Sequence, residues 1–224
     1  MIGIFGGTFD PIHYGHIKPA LSIRHALDLS ELRFIPNRIP PHREQPWLSA
    51  EQRLALLQTA VQEYPEIVID QRELNRDGPS YMVDTLKSLQ RDFPGETFCL
   101  IIGMDALYGI SSWHRWKSLF DLCHLVVTTR PGFDKDTVAR HMTDEDYRFI
   151  EQKMTDDAAD LVAMTGGVEG KILLKSVPQL DISSTMIRQQ LSQDDLTRGR
   201  SPCEPVKQWM PQAAYQQLMS YTKE

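Results

Sequence analysis

Cysteine is scarce in this chain. Cys99, Cys123 and Cys203 are the only three among 224 residues, with no Cys-x-x-Cys and no close pair. Such an odd, scattered set speaks against a disulfide framework and reads as buried or free thiols in a reducing compartment. Cys99 and Cys123 lie inside apolar runs, where packing is the default role. No apolar stretch approaches the ~20 residues that a membrane-crossing helix needs. The chain opens directly into a strand-like run with no secretory leader ahead of it, so a cytosolic location is expected. A basic surplus is also missing: 24 Lys and Arg stand against 30 Asp and Glu, a net charge of −6. With no stripe of cations and interleaved aromatics, a nucleic-acid partner is disfavoured. Residues 134–160 carry nine acids and four bases, which is −5 and leaves the remainder at only −1. An anionic small molecule therefore meets little general repulsion outside that segment, which itself reads as a solvated helix face. Thirteen Gly and fourteen Pro exclude collagen-like and low-complexity readings, and 41% hydrophobic residues describe an ordinary globular protein.

Apolar runs of strand length alternate with helix-period segments. Strands are expected at 1–5, 31–36, 66–70, 97–103, 124–132 and 171–175. Helices are expected at 15–28, 50–63 with Ser49 as N-cap, 79–92, near 113–121, from 181 to 191 and over 204–220, and the acidic stretch also reads as helical. This β-α-β-α order predicts a Rossmann-like, doubly wound parallel sheet covered on both faces. The expected organisation is one domain over 1–224, with a variable acidic insertion at 134–165 and a C-terminal helical part at 181–224. In such sheets ligands sit beyond the carboxyl ends of the strands, so the residues just after each strand carry the functional information.

After the first strand comes GGTFDPIHYGH, residues 6–16. No Gly-Lys-Ser/Thr follows, so it is not a P-loop, and the glycine spacing misses the dinucleotide fingerprint. It nevertheless has the parts of a phosphate site. Gly6 and Gly7 allow close approach of a backbone to a ligand. Asp10-Pro11 turns the chain and places His13 before or at the first turn of a helix, with His16 on the same face. The helix start adds unpaired N–H groups and a positive dipole end. A metal pair is the competing reading, for which Asp10 could supply a third donor.

The run GGTFDPIHYGH resembles the HxGH signature of the adenylyl- and cytidylyltransferase superfamily. IPNRIPPHR (35–43), SYMVDTL (80–86), IIGMDAL (101–107), Trp113, LVVTTRPG (125–132) and ISSTMIR (182–188) follow in order. Together they resemble the bacterial nicotinate-nucleotide adenylyltransferases. The resemblance implies transfer of AMP from ATP to nicotinate mononucleotide, with release of pyrophosphate and formation of deamido-NAD, and Mg²⁺ carried on the phosphates as the cofactor. It implies catalytic roles for His13, His16 and Arg188. Gly6, Gly7, Thr8, Phe9, Gly103, Asp105, Ile182, Ser183 and Ser184 are implied to face ATP. Asn37, His42, Arg43, Ser80, Tyr81, Met82, Val83, Trp113 and His114 are implied to face the mononucleotide, with Trp113 as stacking face and the 78–83 helix start as a seat for its carboxylate. Asp105 has helix N-capping as its alternative role, Arg188 a surface arginine on a capped helix, and Trp113 core packing. Met82 stands where the family often has Thr. A sister enzyme acting on nicotinamide mononucleotide or phosphopantetheine stays open, as do a non-catalytic nucleotide-binding regulator on the same fold and a homo-oligomeric state.

Overall fold

The computed structural model describes residues 1–40, 45–129, 136–161, 169–178, 180–196 and 204–221. The chain order is β1 (Ile2–Gly7), α1 (Tyr14–Ala26), β2 (Glu31–Pro36), α2 (Ala50–Ala60), β3 (Ile67–Ile69), α3 (Met82–Asp92), β4 (Phe98–Gly103) and α4 (Met104–Tyr108). Two 3-10 turns, Ile110–Ser112 and Trp116–Asp121, lead to β5 (His124–Thr129). Then come α5 (Asp136–Ala139), α6 (Asp144–Lys153), β6 (Met154–Thr155), a 3-10 turn at Ala158–Asp160, β7 (Ile172–Ser176), α7 (Ser184–Leu196), α8 (Glu204–Trp209) and α9 (Gln212–Tyr221).

All seven strands are parallel, in the order β3-β2-β1-β4-β5-β7-β6. A strand buried on both faces is a near-continuous apolar run, and β4 shows how this works. Cys99 and Ile101 join the core beneath α1, α2, α7, α8 and α9, whereas Phe98, Leu100 and Ile102 join the core beneath α3, α4 and α6. Burial pushes the Cys99 and Cys123 thiols up, Cys123 to about 12, so both are inert packing groups. The chain runs outward from β1 through β2 to β3, then crosses back to β4 and leaves in the opposite direction. The carboxyl ends of β1 and β4 therefore flank the switch point where a ligand crevice belongs.

Three expectations are corrected. The aromatic segment near 113–121 forms 3-10 turns instead of an α-helix. The acidic stretch is helical only in part, because its end supplies the edge strand β6, two residues long and too short for any periodicity to reveal. The 204–220 segment is two helices, broken where Pro211 follows Met210.

Candidate active site

The site begins with the turn after β1. Asn37 N–H donates to the Gly7 carbonyl at 3.1 Å, extending the β1–β2 ladder by one rung. Phe9 then takes a positive φ of 48° and buries its ring against Phe34, with a centroid separation of 5.5 Å. That anchor turns the chain sharply, and the Asp10-Pro11 peptide is cis. His13 is the N-cap of α1. Its backbone N–H donates to His16 Nδ1 at 3.3 Å, and the two imidazole centroids lie 3.8 Å apart. Since His16 Nδ1 accepts, a neutral His16 carries its proton on Nε2. His13 is buried, and its Nδ1 has no hydrogen-bond partner. Burial, and then the neighbouring His16 charge, lower its pKa from 6.5 to about 2. His13 is therefore neutral at physiological pH in this structure.

Gly15, which the sequence reading takes only as the residue between the two histidines, is a tightly packed position of this turn. A Cβ there would lie 2.9 Å from His13 Cε1 and Nδ1, and 3.1 Å from the Ile182 carbonyl oxygen. Its absence lets the first turn of α1 pack at once on the His13 ring and on the segment leading into α7. That segment is also tied to the turn directly. Ser184 Oγ donates to the Pro11 carbonyl at 3.0 Å, and Arg188 Nη1 donates to the Asp10 carbonyl at 2.6 Å. Ser183 Oγ accepts from Met186 N–H at 3.1 Å, so it caps α7. Ile182, Ser183, Ser184 and Arg188 are thus brought to the HxGH turn. Arg188 spends Nη1 on the turn and Nη2 on the Thr185 hydroxyl, at 3.2 Å, and its side chain is about one-third exposed.

Asp10 does not have the surroundings of a metal ligand. Its carboxylate accepts from Trp47 N–H at 2.8 Å and Leu48 N–H at 3.0 Å, with Arg188 Nη1 at 3.6 Å. Among the described residues no cluster of three or more His, Cys, Asp or Glu could hold a metal ion. Asp10 instead ties the 47–48 backbone and Arg188 to the turn, so the described residues here do not fit a resident cation.

The second group of site residues gathers across the crevice. Tyr81 is the N-cap of α3, and its ring stacks on His114 with centroids 4.3 Å apart. This contact places the 80–83 helix start beside Trp113 and His114, which are far apart in sequence. Trp113 is half-buried on the α3–α4 side, while Trp116 is the buried partner of Phe120 and Phe149. Val83 is fully buried and belongs to the core beneath α3. Met82 lies over the glycine turn: a Cβ on Gly6 would meet its Cε at 2.7 Å. Ser80 Oγ accepts from Arg38 N–H at 3.2 Å, and Ser80 N–H donates to the Ile39 carbonyl, which holds the loop after β2 against α3. Beneath it, Thr85 Oγ1 donates to Glu73 at 2.6 Å; burial raises the Glu73 pKa, opposed by that hydroxyl and by Arg76.

Gly103 is the N-cap of α4 and faces open space, with nothing within 4 Å of a built Cβ. The capping role considered for Asp105 is corrected: it sits inside the first turn of α4, exposed to solvent. Asn37 is within the site, but its side-chain amide donates to Thr8 Oγ1 at 3.1 Å. His42 and Arg43 lie outside the described residues. Sequence reasoning also missed Arg53. It is buried, and donates from Nη1 to the Thr8 and Asn37 carbonyls, both at 2.8 Å, and from Nη2 to the Arg38 carbonyl at 3.2 Å. The available signal was an arginine on the same helical stripe as Leu56, Leu57 and Ala60.

Residues 4–190 match the cytidylyltransferase-like family. A protein of Aeromonas hydrophila subsp. hydrophila named a probable nicotinate-nucleotide adenylyltransferase is 46% identical over 187 residues, which is 84% of either chain. One of the same name from Halorhodospira halophila is 43% identical over 218 residues, covering 97% of this chain and 92% of its own. In fold, the chain is similar to the Plasmodium falciparum nicotinic acid mononucleotide adenylyltransferase complexed with NaAD. The TM-score is 0.68 at 19% identity, over 98% of this chain and 95% of that one.

Proposed function

The chain belongs to the nicotinate-nucleotide adenylyltransferase family, and from that premise we propose how its own residues perform the reaction: AMP passes from ATP to nicotinate mononucleotide, giving nicotinate adenine dinucleotide and pyrophosphate. This is a step of NAD biosynthesis. The mononucleotide phosphate attacks the ATP α-phosphorus in line, so no protein nucleophile is needed. Catalysis is then positioning and charge stabilisation.

The observation that carries the assignment of roles is the paired-imidazole turn at the β1 carboxyl end. The start of α1 offers backbone N–H groups and a positive dipole end to phosphate oxygens. His16 Nε2–H and the His13 ring are donors whose hydrogen bonds strengthen as charge builds on the α-phosphoryl group and the departing pyrophosphate. Arg188, held at the same turn through Asp10, adds a fixed positive charge. Mg²⁺ enters as part of the MgATP substrate, on phosphate oxygens and water. Its charge offsets that of the triphosphate.

The mononucleotide is seated across the crevice. Its pyridinium stacks on Trp113, and its carboxylate takes the Met82 N–H at the start of α3 and the His114 N–H. An amide would turn an NH₂ group toward one of those donors and leave both unpaired, which favours the acid. Met82 offers no side-chain hydroxyl, so the backbone alone makes this contact. Turnover with MgATP and nicotinate mononucleotide, run beside its amide, tests the reading. The acid should be preferred by at least about tenfold in kcat/KM, on the order of one unpaired buried donor. Equal rates would overturn the carboxylate seat.

A further inference from the structure

Among the described residues Arg53 is the largest side chain that the fold buries fully, and no step above uses it. It sits one turn into α2, whose start is fixed by a reciprocal box between Ser49 and Gln52. Its three carbonyl partners come from two different loops. Thr8 belongs to the turn assigned to ATP, while Asn37 and Arg38 open the loop after β2. Among the described residues no carboxylate lies within ion-pair distance of the guanidinium. Burial lowers its pKa, and the more distant Asp10 and Glu51 charges oppose the shift. Holding an unpaired charge this deep is unfavourable, and no neutral side chain carries donors enough for three carbonyls. What a guanidinium adds is a rigid planar fork that fixes the angle and spacing of the groups it binds. The far end of the same loop is held to the same turn by Asp10, through Trp47 and Leu48 N–H. Both ends of the 37–48 segment are therefore referenced to the ATP turn by buried charged side chains.

We propose that Arg53 is a positioning residue of the transfer reaction: its guanidinium sets the separation between the ATP turn and the loop after β2, which Ser80 ties to the α3 start that seats the mononucleotide, and with it the line along which one substrate's phosphate approaches the other's α-phosphorus. The inference rests on the functional reading above. In-line attack requires the reacting atoms within about 3–3.5 Å and aligned, and an error on the order of 1 Å lowers the rate about 10²-fold. A lysine at position 53 would keep the charge but, as a point donor, could not hold three carbonyls from two loops in one plane.

The test is steady-state kinetics, ATP binding by calorimetry and thermal melting of Arg53→Lys and Arg53→Gln. The expected result for Arg53→Lys is a kcat reduced about 10- to 100-fold, with the Kd for ATP within about threefold of wild type and a cooperative melt retained. Arg53→Gln, which loses charge and fork together, should be reduced at least as far. An unchanged kcat beside a lowered Tm would make Arg53 structural only and overturn the proposal. So would a fall in ATP affinity that accounts for the whole loss of kcat/KM, or loss of the cooperative melt in both variants. The underlying reading fails separately: in that case wild type itself shows no turnover of nicotinate mononucleotide with MgATP.

Discussion

Gly15→Ala isolates the packing of the HxGH turn. The added methyl would stand 2.9 Å from two atoms of the His13 ring and 3.1 Å from the Ile182 oxygen, where ordinary contact begins at 3.4 Å. The ring or the backbone must therefore yield by roughly half an ångström. Overpacking of this kind costs about 1–3 kcal/mol. Replacing Gly by Ala inside a helix returns about 1 kcal/mol. The net loss is thus about 0–2 kcal/mol, which for a chain of this size lowers Tm by no more than ~8 °C. The effect on chemistry is larger in proportion. If 1 Å of misplacement is worth about 10²-fold, half of that is worth about tenfold in kcat. The loss should fall on kcat more than on KM for ATP, because the turn is displaced but its donors remain. Steady-state kinetics and thermal melting of the single variant make the comparison. A kcat within twofold of wild type, with any Tm, would show that the His13 ring and the 182 segment need not be where this structure has them.

His16→Ala should reduce kcat by about 10²-fold or more with a smaller change in KM for ATP, as for removal of a transition-state donor; an unaltered kcat would dismiss the assigned role. Trp113→Ala should raise KM for the mononucleotide, and a change confined to Tm would refute stacking. His13, with a pKa of about 2 against 6.5, makes stability depend on pH. The unfolded chain takes up a proton that the folded one refuses, so this contribution is complete above about pH 6.5. It is lost as pH falls below that value, at up to about 1.4 kcal/mol per pH unit. The acid limb of Tm against pH should therefore be flatter in His13→Gln; parallel curves would contradict the buried neutral imidazole.

The sheet was legible in the sequence wherever a strand is buried on both faces, because such strands are unbroken apolar runs. β2 falls at the residues expected, β4 begins one residue later, and β5 runs over 124–129 as expected, with 130–132 outside the described residues. β6 was not legible, since two residues leave no pattern. The paired histidines stand out because glycines and a turn proline surround them at a strand end. The glycine between them is visible too, but its contact with the Ile182 carbonyl, 167 residues away, shows only in the fold. Arg53 follows the same logic. A local pattern shows only an arginine on an apolar stripe, and its carbonyl partners become evident when two loops are folded together. The stacking of Tyr81 on His114 likewise depends on α3 meeting the 3-10 turns. Met82 is the reverse case, a departure visible in sequence whose contact with the Gly6 turn is visible only in the fold.

The most direct test of the whole account is a crystal structure with a non-hydrolysable ATP analogue. The account predicts the triphosphate against the 6–16 turn, with the α1 N-terminus and His16 Nε2 within about 3.2 Å of phosphate oxygens. A nucleotide seated elsewhere, with that turn empty, would contradict it.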